Sequence, residues 1–462
     1  MKSLVMLFVV SAIAVLISAP LASAAKLSDK DIDNLVRRSY PYVAMYNVIN
    51  KSAMDKKNPM MSGWNGTFAA KGLLDHTMKS IARPNNDTLY VTSILDLRTE
   101  PVVVHYPAFD SKYVSLETSA YDHYVDIPLS TTKGDFKKPV NVLYYSDRTK
   151  GYKGEPVKGV DKIMKMSGDF PMVFLRVMPH AAEPARMKKN LAAMQKVKVQ
   201  TLSEFLGKKK KPLAKFDFPA YNTDFGIYEN NFLEVMQFVF NHTTFDPKDK
   251  MDQALLAGFK PLGVEPGKAY DAKKVAKIDG KKLAEAAKKI HKESMVTFSK
   301  PGGSKLLMGM FKPKGEMTLE TMVAQSAVGP VGLPAHQAVY PAVPTADGKP
   351  MNAQHDYVIR MSKNEMPPAK AFWSVTLYDL KNGFFIPNER KKYSVGENAG
   401  MKLNKDGGIE IYISAEKPKD VPEENWLPIN RKDELLDAVM RIYSPDMEKM
   451  KTWKVPKAEK VK

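Results

Sequence analysis

Side chains that can move protons or hold a polar ligand recur at alternate positions in the first third of the chain. Tyr90, Thr92, Asp96 and Arg98 form one such set, and Tyr113, Ser115, Glu117, Tyr121 and His123 form the next. Alternate residues of an extended chain project to one side, so each set shares a strand face wherever its strand runs unbroken. Asp96 and Arg98 are close enough on such a face to pair. A carboxylate, an imidazole and a guanidinium brought together supply what a hydrolase needs: Asp96 or His123 as the base, and Arg98 to stabilise developing negative charge. Asp96, His123 and Arg98 are therefore the candidate catalytic residues. Trp64, in the glycine-flanked loop of residues 63–68, is a candidate aromatic platform, and Asn85, Asn86, Asp87, Tyr90, Tyr121 and Arg176 complete the candidate ligand-binding set. Each has a structural alternative: a solvated outer face for the first stretch, a core position for Trp64, a hydrogen-bonded side chain for His123. His123 and Asp126 fall on opposite faces of an extended chain with no third ligand beside them, so no metal site is expected.

The elements that must position these residues follow from turn chemistry and hydrophobic period. Residues 84–87, Pro-Asn-Asn-Asp, are a turn. Beyond it Leu89, Val91, Leu95 and Leu97 alternate with the polar set, with Ile94 the one aliphatic residue on the polar side, which predicts a half-buried strand. Further strands are expected at residues 102–106, 112–118, 141–145 and 171–177, the last carrying Arg176. Sequential antiparallel strands usually neighbour one another, so Tyr90, Asp96, Arg98 and His123 are expected to meet in one cavity. The period then turns helical over residues 183–198, again at Phe232, Val235, Met236 and Val239, and from Lys281 to about Phe298. Strand signals return at residues 356–361, 372–379, 409–413 and 438–443, with a hairpin turn at 404–408. Near the start Ser28 can cap a helix, which Pro41 should kink or split in two. The expected fold is α+β, mainly β: two antiparallel β-sandwich or jelly-roll-like domains, at residues 25–180 and 336–462, joined by a helical region at 181–335.

Lys2, an apolar run from Leu4 to Ile17 and Ala22-Ser23-Ala24 have the charged, apolar and small-residue order of a secretory signal peptide. Cleavage before Ala25 and a periplasmic or secreted mature chain are expected. The run is shorter than the roughly 20 residues that span a bilayer, so no transmembrane anchor is expected. The chain has no cysteine, which excludes disulfides, thiolate metal sites, cysteine nucleophiles and a lipidated cysteine. Its net charge of +19 is carried by lysines spread along the whole length; the one dense run, Lys208 to Lys211, sits in no nucleic-acid-binding module. No nucleic-acid partner is expected, while a small-molecule or polymeric substrate and self-association stay open. There is no Gly-x-Ser-x-Gly elbow, no His-Glu-x-x-His pair and no phosphate loop, and no motif names a cofactor. Three functions fit these residues: an exported hydrolase acting on a polar substrate, a non-catalytic periplasmic binding protein using the same pocket, and an envelope structural protein held to anionic surfaces by its lysines.

Two sets of residues carry a family resemblance. Residues 84–90 with 95–98 and 100–102 resemble the N-terminal domain of unknown function 1254. Residues 372–379, 384–388 and 425–428 resemble its usual C-terminal companion, domain of unknown function 1214. The resemblance implies two β-rich domains joined by helices, the second jelly-roll-like, in an exported protein. It implies no established reaction, although hydrolase or lipase-like activity has been suspected for members. The residues matched to the first motif are Asn85, Asn86, Asp87, Tyr90, Asp96 and Arg98, and no catalytic role transfers with them.

Overall fold

A computed structural model describes residues 27–79, 82–215, 217–299 and 303–461. Residues 1–24, expected from the sequence to be a signal peptide, lie outside the described residues. The architecture is α+β, built on four sheets that form two sandwiches.

In the N-terminal sandwich the first sheet runs in the order Phe68–Ala69, Leu89–Ile94, Met172–Val177, Val114–Ser119, Asp126–Ser130. The second runs Lys162–Lys165, Val140–Tyr145, Val102–Tyr106, Lys198–Thr201. Leu89, Val91, Leu95 and Leu97 point into the core between them, against Val102, Val104 and Val142, as their alternation requires. The last strand extends this sandwich beyond residue 180, the boundary expected from sequence, because Lys198–Thr201 pairs with Val102–Tyr106 across the intervening helix.

The C-terminal sandwich packs a sheet ordered Ala338–Val339, Leu435–Pro445, Ala369–Asp379, Ser394–Gly396 on one ordered Trp426–Pro428, Ile409–Ser414, Tyr357–Met361, Ala458–Lys460. Its core sets Trp373, Val375 and Leu377 against Ile359, Ile409 and Ile411. Pairing is antiparallel except where Ile409–Ser414 meets Trp426–Pro428 and Val140–Tyr145 meets Lys162–Lys165. The 404–408 turn forms, closed by the Asn404 N–H on the Gly408 carbonyl at 2.8 Å. It makes no hairpin, since the flanking strands Ser394–Gly396 and Ile409–Ser414 belong to different sheets.

The helices cover part of the outer face of the first sheet. Asp29–Met54, Phe232–Asn241 and Gly280–Ser299 bury their apolar stripes there together with Ile94, Phe170 and Met172. Ser28 caps the first helix by accepting from the Asp31 N–H at 3.2 Å. That helix is continuous through Pro41. Proline forfeits one backbone bond, but Tyr40, Tyr42 and Val43 around it are buried, and this packing holds both halves in one element. Among the described residues no helix is long and apolar enough to cross a membrane.

Candidate functional site

The outer face of the first sheet is built in rows. Tyr90, Arg176 and Ser115 face one another across three strands; Thr92, Phe174 and Glu117 form the next row, and Ile94, Met172 and Ser119 the third. Directly opposite residues of antiparallel strands project to the same side, so the first two rows make one polar patch. Helices cover the third row. The third sheet, from the C-terminal domain, covers the polar rows, with its own polar face turned inward: Ser374 opposite Arg441, and Phe372 opposite Tyr443. Tyr113 closes one end by packing on Phe372 and Tyr443 at ring distances of 5.9 and 5.0 Å.

The turn at residues 83–88 is wedged into this seam. The Ser374 hydroxyl donates to Asp87 Oδ2 at 2.6 Å, Asn85 Nδ2 donates to the Tyr443 hydroxyl at 2.7 Å, and the Tyr378 hydroxyl donates to the Pro84 carbonyl at 2.6 Å. Arg441 donates to Thr376 Oγ1, to the Arg83 and Pro84 carbonyls and to the Tyr378 hydroxyl. Asn85 Oδ1 accepts from the Asp87 and Thr88 N–H groups, the local chemistry that makes Asx residues turn formers. Asn86 Oδ1 accepts from the Ser394 hydroxyl at 3.3 Å. The motif thus joins the two domains and carries Asp87 into the space between them.

Arg176 and Glu117 form a buried ion pair through Nη1 and Oε2. Burial pushes the carboxyls of Glu117 and Asp87 above their ordinary values, with Arg176 opposing the shift at Glu117 and Arg441 at Asp87. Burial also pushes the Tyr340 phenol up to about 12, although Arg176 and Arg441 pull it down. Among the described residues three oxygens in the seam have no close hydrogen-bond partner, Glu117 Oε1, Asp87 Oδ1 and Thr92 Oγ1, while the Tyr113 and Ser115 hydroxyls have only each other. Tyr90 and Tyr340 are only half-buried while Arg176, Glu117, Tyr113 and Tyr443 around them are buried.

The remaining sequence-derived candidates lie elsewhere. The first strand ends at Ile94, so Asp96 and Arg98 follow it in irregular chain, on the helix-covered side. Asp96 is buried, and both its oxygens are engaged by Arg98, Oδ1 with Nε at 3.0 Å and Oδ2 with Nη2 at 3.3 Å. The Arg98 guanidinium stacks over Phe170 at 5.0 Å. Trp64 packs on Phe170 and lies parallel to Phe218 at 5.2 Å, and Tyr121 donates to Asn50 Oδ1 at 3.2 Å. The strand carrying Glu117 ends at Ser119, and a turn with His123 at φ 62° follows, so His123 leaves the face it would share in an unbroken strand. Its Nε2 donates to the Pro330 carbonyl at 2.8 Å, and Nδ1 stands 2.8 Å from the Ser326 hydroxyl, which donates to it in the neutral ring. Burial holds the imidazole pKa down at about 4. Among the described residues Asp96 and His123 share no hydrogen-bond partner, and neither shares one with Tyr90. The single expected cavity is therefore divided: Tyr90, Asn85, Asn86, Asp87 and Arg176 meet in the seam; Asp96, Arg98, Trp64 and Tyr121 gather around Phe170; His123 stands apart.

Sequence reasoning missed the C-terminal half of the seam, including Ser374, Arg441, Tyr443 and Tyr340. The alternation of Ser374, Thr376 and Tyr378 with Val375 and Leu377 was the available signal, a strand with one polar face. It also missed a histidine. His242 Nδ1 lies 2.8 Å from Asp169 Oδ2, which accepts from Arg148 Nε at 2.8 Å as well, while Asp169 Oδ1 accepts from the Ser146 hydroxyl at 2.6 Å. These bonds hold the Asp169 carboxyl below its ordinary value against the opposing effect of burial. Among the described residues no cluster of His, Asp and Glu is arranged to hold a metal ion. A groove of about 600 Å³ beside Trp453 lies outside the seam, and its Arg360, Glu365 and Glu459 have protein partners.

Residues 65–201 match the family described as protein of unknown function DUF1254, and residues 337–447 match protein of unknown function DUF1214. No curated protein matches the chain. Among solved structures, the VPA0106 protein from Vibrio parahaemolyticus is 23% identical, with a TM-score of 0.73 over 94% of this chain and 100% of that one. A putative uncharacterized protein from Burkholderia cenocepacia is 14% identical, with a TM-score of 0.42 over 94% and 96% of the two chains. The first likeness extends to the whole two-domain fold, and the seam lies where the two family matches meet, since Asp87 and Arg176 fall in one and Ser374 and Arg441 in the other. The chain belongs to the two-domain family that couples an N-terminal DUF1254 domain to a C-terminal DUF1214 domain.

Proposed function

We propose that the protein binds a small polar molecule in the seam between its two domains. The observation that carries this reading is that Thr92 and Glu117, in one row of the sheet, and Asp87, on the inserted turn, each leave a buried oxygen without a partner among the described residues. A buried hydroxyl or carboxylate oxygen left without a partner costs about 1–3 kcal/mol, and several of them in one place are the mark of a space built for something that satisfies them. A thermal-shift screen of the full chain against small acids, amines, amino acids and sugars is expected to yield stabilising compounds, with the shift lost in Ser115→Ala. Finding no stabiliser, or stabilisers indifferent to Ser115→Ala, would sink the reading.

A second reading, hydrolysis of a polar substrate, is favoured by one observation away from the seam. His242 is oriented by Asp169 through Nδ1, and its Nε2 has no hydrogen bond among the described residues, the arrangement of a histidine base. In this reading His242, not Asp96 or His123, activates water, because the latter two have their polar atoms engaged. A panel of ester, amide and glycoside substrates tests it: turnover abolished by His242→Gln supports it, and turnover that survives the substitution removes it. Both readings place the mature chain in the periplasm or outside the cell, on the signal-peptide pattern of residues 2–24. Mass spectrometry of exported material beginning at Ala25 is the expected result.

A further inference from the structure

Resting on the seam as a binding site, we infer that its ligand is a neutral polyhydroxylated ring, a sugar or cyclitol unit. The argument starts from what each unpartnered group requires. Glu117 Oε1 and Asp87 Oδ1 belong to carboxylates whose other oxygens are already taken, by Arg176 and by Ser374. As ionised groups they accept only, so the ligand must bring hydrogens. Arg176 has a single protein hydrogen bond among the described residues, at Nη1, and its guanidinium otherwise stacks on Phe174 at 4.5 Å. It donates only, so the ligand must also bring lone pairs. Thr92 Oγ1 can do either, and of the Ser115 and Tyr113 hydroxyls, which bond to each other, one hydrogen is left to give.

Charge narrows the class. The seam holds two guanidinium groups, Arg176 and Arg441, and two carboxylates, Asp87 and Glu117, so their formal charges balance when all are ionised. A carboxylate ligand would have to approach Asp87 and Glu117, and an ammonium ligand would have to approach Arg176 and Arg441; burying a like charge beside either pair is costly. The one common neutral group that both donates and accepts through a single atom is the hydroxyl. Demands for donors and acceptors at adjacent strand positions are met by hydroxyls on neighbouring carbons. The half-buried rings of Tyr90 and Tyr340 add the other half of the fit, apolar faces against which the C–H side of a sugar ring can lie. The Tyr90 ring is itself held by Phe174, with centroids 5.0 Å apart.

Isothermal calorimetry on the full mature chain tests the class, with D-glucose, D-galactose, D-mannose and myo-inositol as neutral probes and succinate and ethanolamine as charged ones. At least one neutral probe is expected to bind saturably, and the charged ones not. Because Glu117→Gln risks the fold, the diagnostic variants are Thr92→Val, which removes an orphaned hydroxyl with little change of shape, and Ser115→Ala. Thr92→Val is expected to raise the unfolding midpoint of the empty protein, by deleting an unsatisfied buried group, and each variant is expected to weaken the neutral probe at least tenfold. A purely structural role for these hydroxyls predicts no such opposition. If succinate or ethanolamine binds in a Thr92-dependent way and the neutral probes do not, the class is wrong and the seam remains a binding site. If no probe of either kind binds, the class and the seam reading fall together. Binding of a neutral probe that neither variant weakens places it elsewhere and overturns the assignment.

Discussion

The outer face of the first sheet is covered by helices over one half and by the C-terminal domain over the other, and the two halves treat buried carboxylates differently. Under the helices both oxygens of Asp169 and both of Asp96 are engaged by named donors, with Asp122 the exception, its Oδ1 bonded to Ser167 and its Oδ2 without a partner among the described residues. In the seam, Asp87 and Glu117 each keep one oxygen bonded and one oxygen without a partner. A satisfied buried network rigidifies a fold, whereas a partly satisfied one is tolerated where something else completes it. The comparison separates the charged pair that looks most like a site in the sequence, Asp96 with Arg98, from the groups whose chemistry is left open.

The sharpest way to break that comparison is to strip the seam of one charge. Arg176→Ala leaves Glu117 buried and unpaired, and is expected to lower stability by about 3–5 kcal/mol, read by urea unfolding; Arg176→Met with Glu117→Leu in the same chain should recover most of the loss. Little loss in the single variant would mean that the pair is not buried as described.

Asp122 and His123 give the next largest effect, and it depends on pH. The His123 pKa of about 4 lies below its ordinary 6.5, so the unfolded chain takes up that proton first, and the stability this residue contributes above pH 6.5 is lost as pH falls toward 4. Asp122, raised from 3.8 to about 6 chiefly by burial, contributes the opposite slope, present below about pH 4 and lost as pH rises through 6. The two offset each other in the native chain. Asp122→Asn should uncover the histidine, giving a stability that falls by ~3 kcal/mol more than the native protein's between pH 6.5 and 4. Parallel pH profiles for the two proteins would contradict this.

Asp169→Asn probes the satisfied half and should cost about 1–3 kcal/mol, because Arg148 and His242 lose a charged acceptor but Asn keeps one oxygen. Unlike Thr92→Val in the seam, it should destabilise. The smallest effect is expected on the surface, where Arg360 bridges Glu410 and Glu459 in solvent: Arg360→Ala should change stability by no more than about 1 kcal/mol.

Local chemistry along the chain determined much of this protein. The alternation of Leu89, Val91, Leu95 and Leu97 set which side of their segment faces the first core, and the spacing of Leu283, Ala287 and Ile290 set the apolar face of the helix Gly280–Ser299. The turn chemistry of residues 84–87 put Asp87 just ahead of a strand, and the motif around it carried the family. These are one-dimensional signals, fixed by the period of the backbone and by the dihedral preferences of Pro and Asn. What only the tertiary structure decided is where strands stop and what covers them. Alternation continues through Asp96 and Arg98 and would continue to His123, but the regular strands end at Ile94 and Ser119, both opposite Met172, and beyond it the Leu89 strand keeps only single bonds, from the Leu95 and Leu97 N–H groups to the Pro171 and Asp169 carbonyls. Arg441 and Asp87 stand 354 positions apart and meet because two sheets of different domains turn their polar faces toward each other. No local pattern encodes that meeting: it depends on two buried surfaces finding one another, and the polar atoms left unpartnered there become visible only once both surfaces are in place.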